Sequence, residues 1–235
     1  MSSDASPQLP TIGFYLWPNM TMLDVLGPQQ VLGMVPGMRT FTFARDTSPL
    51  VTDTGITLIA DHGLADVPQP DVLVVGGGAN PYPEMSDPDV IATLARLGAG
   101  ARYVTSVCTG SLILAEAGLL DGYRATTHWS ARELLAAYPG VQLADGRVVQ
   151  DRNRITGGGV SAGIDFALTL LGELVSPDVG RMMELVIEYR PEPPFGTGGP
   201  DLAPPEFVAA ARASVAELAP ELAAFVSRRT GAVVG

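Results

Sequence analysis

Apolar residues along the chain fall into short runs that are separated by turn residues. The length of these runs and their content of β-branched residues predict buried strands. The predicted strands cover residues 12–17, 39–44, 71–75, 103–107 and 155–157. A further segment, residues 47–59, alternates between apolar and polar residues around Asp53-Thr54-Gly55, which predicts a hairpin outside the main sheet.

Segments in which apolar residues recur with helical spacing lie between these strands. They cover residues 23–34, 88–97, 110–117, 129–137 and 161–174. Because strands and helices alternate along the chain, the pattern predicts an α/β fold in which a mostly parallel sheet carries helices on both faces.

The last part of the chain has a different pattern. A helical stretch at residues 178–189 is followed by residues 190–205, which are rich in Pro and Gly, and then by Ala-rich helical patterns at residues 205–218 and 221–228. We therefore expect a flexible segment at residues 1–10 and a catalytic domain at residues 11–190. Residues 191–235 are expected to pack on this domain or on a partner subunit.

Charge and composition restrict the classes of partner. The 235 residues carry a formal net charge of -11, which argues against binding to nucleic acid or to an anionic membrane surface. No signal-peptide pattern and no run of about 18 apolar residues occurs, so we expect a cytoplasmic protein. With one cysteine and two histidines, the sequence predicts neither a disulfide nor a metal site.

Cys108 lies where the strand at residues 103–107 runs into small residues that open a helix. This context predicts a sharp turn that projects the side chain outward, beside a helix N-terminus that favours the thiolate. In open α/β sheets, ligands bind at the carboxyl ends of the strands, where this turn is expected. Cys108 is thus a candidate nucleophile, with a small buried side chain as the alternative.

Two further segments contain candidate site residues. Gly76-Gly77-Gly78 closes an apolar strand and predicts either backbone N–H groups exposed to a developing charge or an ordinary tight turn. Asp24 follows the first strand within an apolar stretch, and it is either a first-turn helix acid or a carboxyl that moves a proton near Cys108. In the second case, burial near a thiolate is expected to raise the pKa of Asp24.

His128 ends a short strand and is either a partner of Cys108 or a structural, hydrogen-bonded histidine. The glycine-rich segment that contains Gly159 leads into a helix and allows close packing of the backbone. Val160, which follows it, is a candidate for an apolar pocket wall.

Together these motifs resemble the ThiJ/PfpI superfamily over about residues 11–190. The motifs that carry the resemblance are Leu23-Asp24 with Gly27-Pro28, Gly76-Gly77-Gly78, Thr105-Ser106-Val107-Cys108-Thr109-Gly110-Ser111, Ala125-Thr126-Thr127-His128-Trp129 and Thr156-Gly157-Gly158-Gly159. The resemblance implies a flavodoxin-like three-layer sandwich, a cysteine on a nucleophile elbow and a homodimer. Within the superfamily, the chain is most similar to the members that hydrate isocyanides.

The resemblance also implies roles for individual residues. Cys108 would attack the terminal carbon of a small neutral isocyanide to form a thioimidate, and water would release an N-substituted formamide. Asp24 would protonate the carbon or orient water, and Thr109 would contribute its hydroxyl and backbone. Gly77 and Gly78 would face the cysteine, and Val160 would occupy the place of a bulkier aliphatic residue on a helix. Such a hydro-lyase needs no cofactor.

Other branches of the superfamily fit the sequence less well. Glutamine amidotransferases need a distant His-x-Glu, but no histidine follows His128. The peptidase-like members have a histidine where this chain has Thr109. Glyoxalase-like members usually have a glutamate at the position of Asp24 and are kept as an alternative.

A stand-alone ligand sensor is a second alternative. The sensor domains of AraC-type regulators share the Asp-x-x-Gly-Pro and Ala-Thr-Thr-His-Trp patterns. Such regulators continue into DNA-binding helices, and the tail that ends at Gly235 is expected to be too short for these.

Overall fold

The computed structural model of the protein describes residues 9–232, and its centre is a seven-stranded sheet. The predicted flexible segment at residues 1–10 lies largely outside the described residues. The strands are, in chain order, β1 (Thr11–Tyr15), β2 (Arg39–Ala44), β3 (Leu50–Val51), β4 (Thr57–Leu58), β5 (His62–Gly63), β6 (Val72–Val75), β7 (Tyr103–Val107), β8 (Tyr123–Ala125), β9 (Val141–Leu143), β10 (Val148–Asp151) and β11 (Arg154–Gly157).

The main sheet has the order β10-β11-β7-β6-β1-β2-β5, and all of its pairings are parallel except that of β10 with β11. The prediction of a mostly parallel sheet is therefore confirmed. The central strand β6 is a continuous apolar run, and all four of its residues are fully buried. Because β1, β6, β7 and β11 are parallel, their carboxyl ends meet at one edge of the sheet, where ligands bind in open α/β folds.

The helices form two groups, one for each face of the sheet. The first group packs α1 (Met22–Gly33) against α6 (Ala162–Leu174), and α6 against α7 (Pro177–Val186). The second group contains α2 (Tyr82–Met85), α3 (Pro88–Gly100), α4 (Gly110–Glu116) and α5 (Arg132–Ala136). The predicted α/β sandwich is confirmed.

Differences from the predicted elements are local. The predicted helix at residues 129–137 is a 3-10 turn, Trp129–Ala131, followed by α5. The hairpin appears as the antiparallel pair β3–β4 outside the main sheet. The sequence analysis missed α2, β5, β9 and β10, because elements of two to four residues contain too few positions to show a periodicity.

Two helices follow the irregular residues 191–204, namely α8 (Pro205–Leu218) and α9 (Leu222–Thr230). Helix α9 packs on the body of the protein through Leu222 and Val226, which are buried. The rings of Phe225 and Tyr82 pack in a T-shaped arrangement, with their centroids 5.3 Å apart. Arg229 Nε forms an ion pair with Glu116 Oε1 at 2.6 Å. Helix α8 has no buried residue. The C-terminal part of the chain is therefore held to the domain more by α9 than by α8.

Candidate active site

Cys108 occupies the turn between β7 and α4 and has a φ of 58°, in the left-handed region that residues other than glycine rarely adopt. Four hydrogen bonds hold this strained backbone. The Cys108 N–H donates to the carbonyl oxygens of Gly157 and Gly158 at 3.1 and 2.7 Å. Its carbonyl accepts from Ser111 Oγ and Thr127 Oγ1, each at 3.1 Å. The predicted nucleophile elbow is therefore present and tightly supported.

Gly110, at the start of α4, allows the elbow to lie directly against the end of β6. A Cβ at this position would come within 2.1 Å of the Val75 carbonyl oxygen. Any larger residue would push the elbow away from the neighbouring strand. The glycine at position 110 thus follows from the packing of the turn.

Asp24 lies in the first turn of α1, as a first-turn acid does, but it is fully buried beside the elbow. Its Oδ2 accepts a hydrogen bond from the Gly77 N–H at 2.9 Å, whereas Oδ1 accepts no well-aligned hydrogen bond from the described residues. Burial raises the pKa of Asp24 to about 7, although the Gly77 N–H and the Cys108 thiol oppose this rise. The expected direction of the shift is confirmed, and its cause is burial, not an adjacent thiolate.

The Cys108 thiol is the second titratable group of the pair. Burial raises its pKa well above the ordinary value, and the charge of Asp24 raises it further. The backbone and hydroxyl of Thr109 lower it by a smaller amount. The helix N-terminus was expected to favour the thiolate. The contribution of Thr109, at the start of α4, has this direction, but burial and Asp24 outweigh it.

Thr109 links the elbow to the glycine turn after β6. Its Oγ1 accepts from the Gly78 N–H at 2.9 Å and donates to the Gly78 carbonyl at 2.7 Å. The N–H groups of Gly77 and Gly78, predicted to face a developing charge, are therefore already bound to the side chains of Asp24 and Thr109. In this arrangement they position the two side chains.

Gly77 is a position where an added methyl group should be damaging. A Cβ there would lie 2.4 Å from the Thr109 nitrogen and 2.6 Å from its Oγ1. We expect Gly77→Ala to lower the free energy of unfolding by about 1–3 kcal/mol, as measured by urea denaturation. The control is Gly198→Ala, where a Cβ meets nothing within 4 Å and the change should stay below about 0.5 kcal/mol. Equal effects in the two variants would contradict this account.

His128 has a structural role at the start of the 3-10 turn. Its Nδ1 accepts the Ser130 N–H at 3.3 Å and lies 2.7 Å from Ser130 Oγ. Burial lowers its pKa, which favours the neutral imidazole. No hydrogen bond joins His128 to Cys108 within residues 9–232. The residue of this motif that acts on the elbow is its neighbour Thr127, whose role the sequence analysis missed.

Cys108 opens into a cavity of about 160 Å³. Val160 lines it as predicted, but from the turn before α6 and not from the helix itself. Gly159 lies behind this wall, where a Cβ would be 3.2 Å from His128 Cδ2. The full lining is Thr21, Gly78, Ala79, Cys108, Thr109, His128, Ser130, Val160 and Val215.

Val215 is a further pocket residue that the sequence analysis missed. It belongs to α8, far from Cys108 along the chain, and its Ala-rich surroundings give no local signal of a site.

Within residues 9–232, His, Cys, Asp and Glu form no group of three or more that could hold a metal ion. Over the same residues, none of the helices combines the length and the hydropathy needed to cross a membrane.

The chain is similar to known proteins in sequence and in structure. Residues 11–173 match the DJ-1/PfpI family. A curated relative from Pseudomonas putida named isonitrile hydratase is 46% identical over 201 residues, which cover 86% of this chain and 88% of that protein. A crystal structure of a ThiJ/PfpI family protein from Pseudomonas syringae superimposes with a TM-score of 0.88 at 37% identity, covering 95% of this chain and 93% of that one.

A transcriptional regulator is also among the relatives. The HTH-type regulator GbdR of Pseudomonas aeruginosa is 31% identical over 169 residues, which cover 69% of this chain but only 46% of the regulator. The similarity thus extends to part of a longer protein, whereas the hydratase matches along most of its length.

Proposed function

Because the chain belongs to the DJ-1/PfpI family, we propose that it hydrates isocyanides and that Cys108 and Asp24 carry out the reaction. The observation that carries this proposal is the buried carboxyl of Asp24 beside the buried thiol of Cys108, which lines a small cavity. The 46% identity to an isonitrile hydratase over most of both chains supports the same substrate class.

In the first half of the reaction, the thiol of Cys108 adds to the terminal carbon of R–N≡C. The ionised Asp24 accepts the thiol proton as the C–S bond forms, and then delivers it to the same carbon. The product is a thioimidate, R–N=CH–S–Cys108, with no net change in charge. A resting thiol suits this step, since the substrate needs both the sulfur and the proton.

In the second half, water attacks the thioimidate carbon. Its oxygen bonds to carbon and one proton goes to nitrogen, which gives a tetrahedral intermediate. The intermediate releases the sulfur, and Asp24 carries the hydroxyl proton to it, so that an N-substituted formamide leaves and the thiol is restored. The buried Oδ1 of Asp24, which lacks a well-aligned partner among the described residues, is the oxygen available for this transfer.

The other two functions considered from the sequence find less support. A glyoxalase-like enzyme usually carries a glutamate where this chain has Asp24, and the longer side chain would shift the point of proton delivery. The sensor reading draws on the regulator relative, whose match is weaker in identity and coverage than that of the hydratase. The homodimer and the cytoplasmic location stay predictions.

The direct test is to incubate the protein with cyclohexyl isocyanide in ¹⁸O-labelled water. We expect N-cyclohexylformamide that carries one ¹⁸O atom, detected by mass spectrometry, and a transient adduct on Cys108 after acid quenching. Absence of formamide across a series of alkyl and aryl isocyanides would overturn the proposed function.

The pH profile tests the role assigned to Asp24. Since its pKa is about 7, the carboxylate that accepts the thiol proton disappears as the pH falls below that value. We expect kcat/KM to rise between pH 6 and 8 with an apparent pKa of about 7, and to fall about tenfold per pH unit on the acid side. A profile that rises only above the ordinary pKa of cysteine would instead indicate attack by a thiolate formed without Asp24. The uncatalysed acid hydrolysis is subtracted at each pH.

A further inference from the structure

We infer that the substituent of the isocyanide is apolar and extends from Cys108 past Ser130 and Val215 into a second cavity under α8. This second cavity, called the α8 cavity, is lined by Leu134, Val215, Ala216, Ala219, Leu222 and Ala223, with Ser130, Glu133, Arg212 and Pro220 completing it. The inference rests on the proposed function. It specifies the class of substituent that the site accepts, and it names Val215 as the residue that selects this substituent.

The two cavities are adjacent because Ser130 and Val215 line both of them. The cavity at Cys108 measures about 160 Å³, which is below the roughly 300–1,000 Å³ of common ligand sites. It therefore suits the isocyano group and a small substituent. The α8 cavity adds a space of about 260 Å³ for a larger one.

The walls of the α8 cavity favour an apolar group. Leu222 and Ala219 are buried members of the hydrophobic core, and Leu134 packs against the same core. The charged residues form an ion pair at the outer edge, with Arg212 3.7 Å from Glu133, and both side chains are largely exposed. An alkyl or aryl substituent placed here would lose contact with water without removing water from a charged group.

A third cavity also borders the Cys108 cavity, but its chemistry is different. It measures about 610 Å³, shares His128 and Val160 with the Cys108 cavity, and contains the ion pair of Arg132 with Asp145 at 2.6 Å. Its lining includes four charged side chains, Arg132, Asp145, Arg147 and Asp201, whereas that of the α8 cavity includes two. A hydrocarbon group in the third cavity would therefore desolvate more charge, at a cost. The α8 cavity is therefore the better path for an apolar substituent.

Val215 is the side chain on α8 that both cavities share. Val208 lies seven residues earlier on the same face of α8 and is also half-buried, but it lines a separate cavity beside Trp129 and Pro200. The two valines therefore form a matched pair, in which only Val215 stands between Cys108 and the α8 cavity.

The test compares kcat/KM for methyl and cyclohexyl isocyanide. We expect Val215→Phe to lower the cyclohexyl-to-methyl ratio at least tenfold, and Val215→Ala to leave it unchanged or raise it. The control Val208→Phe should keep the ratio within twofold of the unmodified protein. Equal loss on both substrates with Val215→Phe, or the same change of ratio with Val208→Phe, would overturn the inference.

A second measurement separates this inference from the proposed function. Cys108 is alkylated with iodoacetamide and with N-cyclohexyliodoacetamide, and the two rates are compared in each variant by intact mass. If no isocyanide is hydrated but Val215→Phe slows only the bulky reagent, the proposed function fails and the path along Val215 stands. If Val215→Phe leaves the ratio of the two alkylation rates unchanged as well, the path is also overturned.

Discussion

Replacing Cys108 with serine should lower isocyanide turnover by at least about 10⁴-fold while the protein remains folded. Serine preserves the shape of the side chain and the hydrogen bonds of the strained backbone, which come from Gly157, Gly158, Ser111 and Thr127. The hydroxyl is a much weaker nucleophile than a thiol toward the soft isocyano carbon. The loss should therefore appear in activity and not in stability.

The measurement is formamide production with the variant at high concentration, together with thermal unfolding. A suitable control is Ser106→Ala, because Ser106 is a buried residue on β7, the strand that leads to Cys108, and its Oγ has no hydrogen-bond partner among the described residues. This control should keep its activity within a few-fold of the unmodified protein. Turnover by Cys108→Ser above about 1% would exclude the covalent mechanism.

Replacing Asp24 with asparagine should have two separable effects, of which the first is on activity. The amide still accepts the Gly77 N–H that now binds Oδ2, but it has no site for the thiol proton. We expect kcat to fall about 10²–10⁴-fold, and the rise of kcat/KM with an apparent pKa of about 7 to disappear. Steady-state kinetics between pH 5 and 9 measure both, and a variant that keeps the rise would show that another group titrates.

The second effect of Asp24→Asn is on stability, and it has the opposite sign. Burial raises the pKa of Asp24 to about 7 in the folded protein, against about 3.9 in an unfolded chain. The folded state therefore holds this proton more tightly, and the stability gained below about pH 4 is lost as the pH rises through 7.

Since asparagine does not titrate, the variant does not lose this stability as the pH rises, and it should become more stable than the unmodified protein. The gap in unfolding free energy should widen by up to about 4 kcal/mol between pH 4 and 8, the equivalent of about three pKa units. Urea unfolding at the two pH values measures this change. A gap that is the same at both would mean that folding does not raise the pKa of Asp24.

Much of the fold followed from local sequence, which also offered Cys108 and Asp24 as candidates, while the family resemblance implied their pairing. The strands β1, β6, β7 and β11 could be located because they are buried along nearly their whole length. Strand β2 is partly exposed, and its Thr and Phe residues alternate. Cys108 and Asp24 each stand at the junction of a strand and a helix, and such junctions can be located from the pattern alone.

The remaining site properties depend on the folded environment. Burial raises the pKa of Cys108, and the degree of burial cannot be obtained from composition. This rise outweighs the lowering expected from the helix N-terminus, which the sequence does predict. The N–H groups of Gly77 and Gly78 are occupied by side chains from other segments, namely those of Asp24 and Thr109. Val215 reaches the cavity only because the attachment of α9 brings the end of the chain back to the elbow.

Because the backbone of Cys108 has a left-handed conformation, activity should appear during folding only after contacts between distant segments of the chain have formed. Strand β7 and helix α4 are local, and α4 supplies the hydroxyl of Ser111, but the other hydrogen bonds come from the segment around Thr127 and from the end of β11. A chain that has formed only its local elements has one of the four hydrogen bonds that hold this residue at positive φ, and would relax it. The recovery of catalysis after dilution from denaturant should therefore follow the docking of β11, which makes the enzyme's own reaction a probe of the slow, non-local contacts in its folding.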